Sequence, residues 1–255
     1  MKKIFSFILK DLLRNKFLII YTVILSILTW TVFLLEDDAA RGLLTIINLV
    51  LLSVPLVSVI FSTTYLYNRI EFNELLLSHP VQRSVIWQSQ FGGLVAGLSF
   101  AFIFGAGLPI LVFIETRIAL LLIFTGTLIT TVFVSLSFTA VIFSRDKARG
   151  VGISIAYWLF FTYIFEGLFL MLILQLSDYQ LEGLVTGMIF LNPLSLARVL
   201  ILIQMDITVM LGYSGAVFKE AYGTFLGMVV TFVALILWGA LPFIFSLNKF
   251  NKMDL

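Results

Sequence analysis

The sequence predicts an all-α integral membrane protein, and its composition is the first reason. Of the 255 residues, 61% are hydrophobic and only 12% are charged, and the mean hydropathy is +1.12. A water-soluble surface needs more charge, and disordered or nucleic-acid-binding chains carry much less apolar bulk. The composition therefore favours a chain that lies in a lipid bilayer.

Six long apolar runs are the second reason. The hydrocarbon core of a bilayer is about 30 Å thick, and roughly 20 helical residues cross it. The runs are Phe17–Leu35, Leu43–Tyr67, Phe91–Ile114, Ile118–Phe143, Val151–Leu176 and Gly223–Leu247. They lack the alternation of transmembrane β-strands. We therefore expect one transmembrane domain of six helical spans over residues 1–255.

The placement of charge is the third observation and predicts orientation. Twelve of the 16 Lys and Arg residues lie at the N terminus, after the second and fourth spans, or at the C terminus. Cytoplasmic loops hold the excess of positive charge in multi-pass proteins. Both termini are therefore predicted to be cytoplasmic.

Residues 1–16 have the pattern of an amphipathic helix. Apolar residues from Ile4 to Leu13 recur at helical spacing, and Lys3, Lys10 and Arg14 occupy the other face. Such a helix lies along the inner leaflet. The alternative is a basic anchor for the first span.

The outer segment 177–222 is too apolar for a solvated loop. Asn192 and Pro193 divide it into two stretches, each shorter than a comfortable span. We expect two short re-entrant helices, with Asn192 capping the second and Pro193 in its first turn. The alternative is a seventh span, which would bury Arg198 and reverse the side of the C terminus.

The sequence offers little catalytic chemistry. No Lys follows a Gly, so the phosphate-binding P-loop is missing. The chain has no Cys and one His, His79, so we predict no metal site and no catalytic residues. Gly212-Tyr213-Ser214-Gly215 matches a serine-protease motif, but its only candidate base, His79, is predicted on the opposite side of the membrane. We interpret the motif as a turn.

Glu166 lies inside the fifth span, where an unpaired carboxylate is costly. It lines a translocation path or a subunit interface, or else it pairs with a nearby donor or reaches toward the outer surface. The sequence leaves these alternatives open. Gly93 with Gly97, and Gly223 with Gly227, are interpreted as helix-packing residues.

The loop region 68–90 holds the strongest local pattern. It combines an apolar cluster with charge and a helix-breaking proline, in Glu71, Glu74, Leu75, Leu76, Leu77, Pro80 and Arg83. A short amphipathic segment of this kind can dock into a groove of a soluble partner and transmit force to the spans that it joins. The alternative is an ordinary connector.

Residues 74–84, Glu-Leu-Leu-Leu-Ser-His-Pro-Val-Gln-Arg-Ser, resemble the coupling segment of ABC-2 type transporter permeases, "ELLLSxPVSRS". The chain departs from that pattern at Phe72-Asn73, where Gly-Thr is usual, and at Gln82, where Ser is usual. The resemblance implies an N-terminal elbow helix, six spans, cytoplasmic termini and re-entrant helices before the last span.

The resemblance also implies a mechanism and partners. Two permease copies would form a homodimer, each would seat a separate ABC ATPase subunit on residues 71–84, and ATP and Mg²⁺ would bind the ATPase. Asn192, Pro193 and Arg198 make the chain most similar to the permease that serves maturation of nitrous oxide reductase, a periplasmic copper enzyme, in the bacterial inner membrane. That similarity implies a periplasmic partner protein.

Three other functions remain open from the sequence. One is an ABC-2 exporter of another substrate, such as a drug, a lipid, sodium or a gliding-related cargo. Another is an integral-membrane enzyme, although Glu166 alone makes no catalytic cluster. The third is a scaffold that recruits a periplasmic partner through residues 177–222. The transported substance is not predicted.

Overall fold

The computed structural model describes residues 2–36, 39–70, 72, 82–176, 182–204 and 225–252, which are almost entirely helical and contain no strand. The helices are α1 (Lys2–Leu13), α2 (Lys16–Leu35), α3 (Ala39–Asn68), α4 (Arg83–Phe113), α5 (Thr116–Phe143), α6 (Lys147–Gln175), α7 (Glu182–Leu191), α8 (Pro193–Gln204) and α9 (Phe225–Lys252). Six of them, α2 to α6 and α9, are long and apolar enough to cross a membrane. The predicted all-α class and six spans are confirmed.

The helices extend beyond the apolar runs that predicted them. The fourth helix begins at Arg83, eight residues before the predicted start of its span, and α6 begins at Lys147 instead of Val151. Polar first turns are compatible with a helix that projects out of the hydrocarbon. Asn15 and Asp146 cap α2 and α6, each accepting a backbone N–H at 2.9 Å.

The span α5 forms the centre of the bundle. It packs against α3, α4, α8 and α9, and every residue from Val132 to Ala140 is buried. Ser137 bonds inside the protein: its Oγ donates to Phe133 O at 2.8 Å and lies 3.3 Å from Val59 O of α3. Such a bond offsets the cost of burying a hydroxyl away from water, whereas the hydroxyls of Thr125 and Ser135 are buried without a partner among the described residues.

Tryptophan side chains join neighbouring helices through their indole N–H groups. Trp87 donates to Ser246 Oγ at 3.2 Å, Trp158 to Leu52 O at 3.1 Å, and Trp238 to Phe190 O at 3.0 Å. A buried indole N–H is costly without an acceptor. These bonds therefore fix the relative positions of α4, α6 and α9 against their neighbours.

Helix α1 packs closely on α4 through small residues. Ile8 and Leu12 are buried, and a Cβ atom added at Gly93 or Gly97 would press directly on them. A Cβ at Gly93 would lie 2.5 Å from Ile8 Cγ2, so the approach depends on a bare backbone there, whereas a Cβ at Gly97 would make a tight contact of 3.2 Å with Leu12. The predicted packing role of this glycine pair is confirmed, and the apolar face of α1 lies against the span α4. Gly223, of the second predicted glycine pair, is outside the described residues.

Basic residues gather at one end of the bundle, which we call the basic end. Lys147 Nζ donates to Asn68 Oδ1 at 2.8 Å, and Lys249 lies over the ring of Phe143, 4.5 Å from its centroid. At the opposite end the rings of Phe33 and Phe113 stack at 5.0 Å. The spans therefore alternate in direction, as the charge pattern predicts.

Two spans contain a π-helical turn, Ile103–Gly107 in α4 and Phe160–Ile164 in α6. These turns shift the hydrogen-bond register by one residue and are frequent at functional sites. Helices α7 and α8 are bent by 113° at Asn192. This bent pair fits the predicted re-entrant helices, and the described residues form no straight seventh span there.

Candidate functional site

Glu166 lies two residues beyond the π-helical turn of α6. It is nineteen residues from Lys147 and nine from Gln175, which gives about 28 Å and 13 Å along the helix. Asn48 of α3 is also nine residues, about 13 Å, from Ala39, the end of its own helix that lies opposite the basic end. Polar side chains of two spans therefore lie at similar depth.

Arg198 of α8 forms an ion pair with Glu166. Its Nη1 donates to both carboxylate oxygens, each at 2.9 Å. The side chains are about one-third exposed, 34% for Arg198 and 32% for Glu166. A lone charge at this depth is expensive, so each residue offsets the cost of the other. Pairing with a nearby donor, one of the alternatives left open for Glu166, is therefore observed.

Asn192 and Pro193 position Arg198. Pro193 has no backbone N–H and disfavours helix at the residue before it, so the chain breaks at Asn192. Asn192 Oδ1 accepts from Leu194 N, which caps α8, and Nδ2 donates to Phe161 O in the π-helical turn of α6, both at 2.9 Å. The predicted cap is confirmed, and the same side chain ties the bend to α6.

Two clefts flank the ion pair, and Asn48, Glu166 and Arg198 line both of them. The larger cleft, about 430 Å³, also has Ser195 and a mainly apolar wall that includes Leu44, Phe169, Ile173 and Leu202. The smaller cleft, about 340 Å³, is lined in addition by Leu51, Leu52, Thr162, Tyr163 and Leu194. Few polar groups thus converge within apolar walls, which is typical of ligand sites.

The guanidinium of Arg198 is only partly used. Both bonds to Glu166 come from Nη1, while Nε is buried and has no hydrogen-bond partner among the described residues. The hydroxyl of Thr162 is likewise buried without a partner in the described part of the chain. Because such groups are costly to leave unpaired, the site has donors left for a ligand.

Most of the predicted coupling residues lie outside the described residues, namely Glu71, Glu74, Leu75, Leu76, Leu77 and Pro80. Arg83 is described and begins α4 at the basic end. The predicted site residues therefore fall into two regions, because Glu166, Asn192, Pro193 and Arg198 lie together toward the opposite end. The Gly212–Gly215 motif and His79 are also outside the described residues.

A second polar cluster lies where the described part of α3 meets the loop. The Arg69 guanidinium pairs with Asp11 of α1 and lies 5.1 to 5.6 Å from the ring centroids of Phe7, Tyr65 and Phe72. Sequence reasoning missed this cluster. The sequence signal for it was Asp11, an acidic residue on the basic amphipathic helix α1, together with Arg69, which directly follows the apolar span α3.

The pairing of Glu166 with Arg198 was also not predicted. The available signal was that each is a lone charge within an apolar stretch, Gly150–Gln175 and Pro193–Gln204. Opposite lone charges in membrane segments commonly pair. Asn48 gave no signal, because a single amide in an apolar run is unremarkable.

These features define the class of the protein as a multi-pass helical membrane protein with an ion pair inside its bundle. Within the described ranges, no three His, Asp or Glu side chains lie close enough to share a metal ion. Comparison with protein-family models and with curated proteins gives no match. Any more particular function therefore depends on the chemistry of the residues and on the resemblance of the loop segment.

Proposed function

We propose that this chain is the membrane-spanning permease subunit of an ABC transporter, driven by a separate ATPase subunit. One observation carries the proposal: residues 74–84 resemble the coupling segment of ABC-2 permeases. That segment joins α3 to α4 at the basic end, where a soluble ATPase in the cytoplasm would meet it. The chain itself would be no enzyme and would hold no cofactor, since ATP and Mg²⁺ would bind the partner.

The fold supports the proposal through its element order. An amphipathic first helix, six spans and a bent pair of short helices before the last span are the features that the resemblance implies. Other membrane proteins have six spans, so this agreement is weaker support than the segment itself.

The contacts at the basic end suggest how force would reach the bundle. Helix α1 packs on α4 at Gly93 and Gly97 and pairs through Asp11 with Arg69 after α3. A push on the loop would therefore move α1, α3 and α4 together. Their displacement would change access to the spaces between spans, as in other two-state membrane proteins.

The particular role that we propose is maturation of a periplasmic copper enzyme such as nitrous oxide reductase. The protein would act as a homodimer in the bacterial inner membrane, with both termini cytoplasmic and with a periplasmic partner at the outer segment 177–222. The supporting residues are Asn192, Pro193 and Arg198, which carry the similarity to that permease.

Co-purification with the ATPase encoded beside this chain tests the coupling assignment. We expect the charge reversals Glu74→Lys and Arg83→Glu to reduce the retained ATPase about tenfold or more, because opposed charges at an interface repel. The matched control is Glu115→Lys, a reversal at the opposite end. Undiminished retention in both coupling variants would contradict the proposal.

Orientation has a separate test. The chain contains no cysteine, so single cysteines at Glu115 and at Lys252 can be labelled with a membrane-impermeant maleimide in intact cells. We expect labelling at position 115 and protection at position 252. The reverse pattern would place the coupling segment on the outside and exclude an ATPase from it.

A further inference from the structure

We propose that the two clefts beside Glu166 and Arg198 bind the headgroup of a zwitterionic amphiphile, one that carries a primary ammonium next to a phosphate. The phosphate would meet Arg198, and the ammonium would meet Glu166. This inference goes beyond the proposed permease function and holds whether or not an ATPase docks at the other end of the bundle.

The charges of the site favour a zwitterion. The ion pair is net neutral, each partner is about one-third exposed, and both partners line the two clefts. A simple anion would gain from Arg198 but would be repelled by Glu166, and a simple cation would meet the opposite difficulty. A headgroup with both charges can satisfy both partners without leaving an uncompensated charge at membrane depth.

The hydrogen-bond donors agree with the same ligand. Arg198 Nε is buried and has no partner in the described part of the chain, and a phosphate oxygen is a strong acceptor for it. The unpartnered hydroxyl of Thr162 is a second donor in the smaller cleft. Glu166 accepts only from Nη1 of Arg198 among the described groups, so its oxygens retain capacity for an ammonium N–H.

The apolar surroundings indicate an amphiphile and not a water-soluble zwitterion. The larger cleft has an apolar wall that includes Phe169, Ile173 and Leu202. On the same helix as Glu166, Leu168, Leu170 and Leu174 are 50% to 69% exposed, so the surface next to the cleft is one that acyl chains would cover. We therefore infer that the ligand enters sideways from the lipid.

The test uses the purified full-length protein in detergent and varies the ligand first. Native mass spectrometry would compare bound short-chain phosphatidylethanolamine, phosphatidylcholine and phosphatidylglycerol at equal concentration. We expect about tenfold preference for phosphatidylethanolamine, because the choline ammonium has no N–H donor and the glycerol headgroup has no positive charge. Equal binding of the three, or preference for the glycerol lipid, would overturn the proposal.

Variants then locate the site. Glu166→Gln and Arg198→Gln should each abolish most of the preference, and Thr162→Val should reduce it, whereas Glu115→Gln with Arg117→Gln should leave it unchanged. A preference that persists in the folded site variants would also overturn the proposal. If those variants do not fold, the wild-type lipid comparison decides alone.

The last experiment is a competition with soluble O-phosphoethanolamine, which is the headgroup without acyl chains. We expect it to compete at least about tenfold more weakly than the lipid, because it buries no apolar surface. Equal competition would overturn the amphiphile assignment and identify the headgroup alone as the ligand.

Discussion

The strongest quantitative prediction concerns the energetic coupling between Glu166 and Arg198. Replacing Glu166 with Gln leaves a guanidinium in the bundle that cannot lose its charge, whereas replacing Arg198 with Gln leaves a carboxylate that can take up a proton. We therefore expect Glu166→Gln to destabilise the protein more than Arg198→Gln does.

The magnitude follows from the burial of the pair. An unpaired charge at the centre of a membrane helix costs about 3 kcal/mol on insertion scales, and a fully exposed ion pair contributes about 0 to 1 kcal/mol. With each side chain about one-third exposed, the Glu166 variant should lose ~2 kcal/mol and the Arg198 variant ~1 kcal/mol. The double variant should cost less than the sum, with a coupling energy of ~1 kcal/mol.

Equilibrium denaturation in mixed micelles would measure these free energies as a double-mutant cycle. The matched control is the same cycle at Glu115 and Arg117, two exposed charges just before α5 and in its first turn. A coupling energy at the Glu166–Arg198 pair no larger than at the control pair would refute the reasoning.

Three further predictions concern other contacts. Asn192→Ala removes the cap of α8 and the bond to Phe161, and it should lower the stability by ~1 to 3 kcal/mol. Asn192→Asp keeps the cap, so its loss of stability should be smaller, and thermal unfolding compares the two variants. Arg69→Ala removes the ion pair with Asp11 and the contacts with the surrounding rings, so the amides of residues 2–13 should exchange hydrogen at least tenfold faster. Unchanged exchange would contradict a role of Arg69 in holding α1. Gly150→Ala puts a methyl group on the Tyr67 ring and should cost ~1 to 3 kcal/mol in denaturation. Additivity with Tyr67→Ala, which removes the ring, would refute the contact.

The spans and the bend could be predicted because each has a local cause. A long apolar run specifies a membrane helix regardless of its neighbours, and Pro193 breaks the chain at Asn192 by its own geometry. The glycine pair Gly93 and Gly97 predicted a close helix contact, but the sequence did not identify α1 as the helix that fills it. Local rules therefore gave the elements and left most of their partners undetermined.

The candidate site was only half predicted, because pairing depends on tertiary structure. The cost of burying Glu166 was evident from its position, and a partner was one of the expectations. The choice of Arg198 depends on the bend at Asn192 and on the π-helical turn Phe160–Ile164. Neither the register shift of that turn nor the shared depth of Asn48 has a sequence pattern that could have revealed it.

The contact between α1 and α4 has a consequence for biogenesis. Ile8 and Leu12 pack on Gly93 and Gly97, and these glycines follow the spans α2 and α3 in the chain. Helix α1 is therefore made before α4, and its apolar face needs another apolar surface, such as lipid, until α4 is inserted. Its amphipathic pattern suits both situations, since one face can rest on lipid early and on protein later.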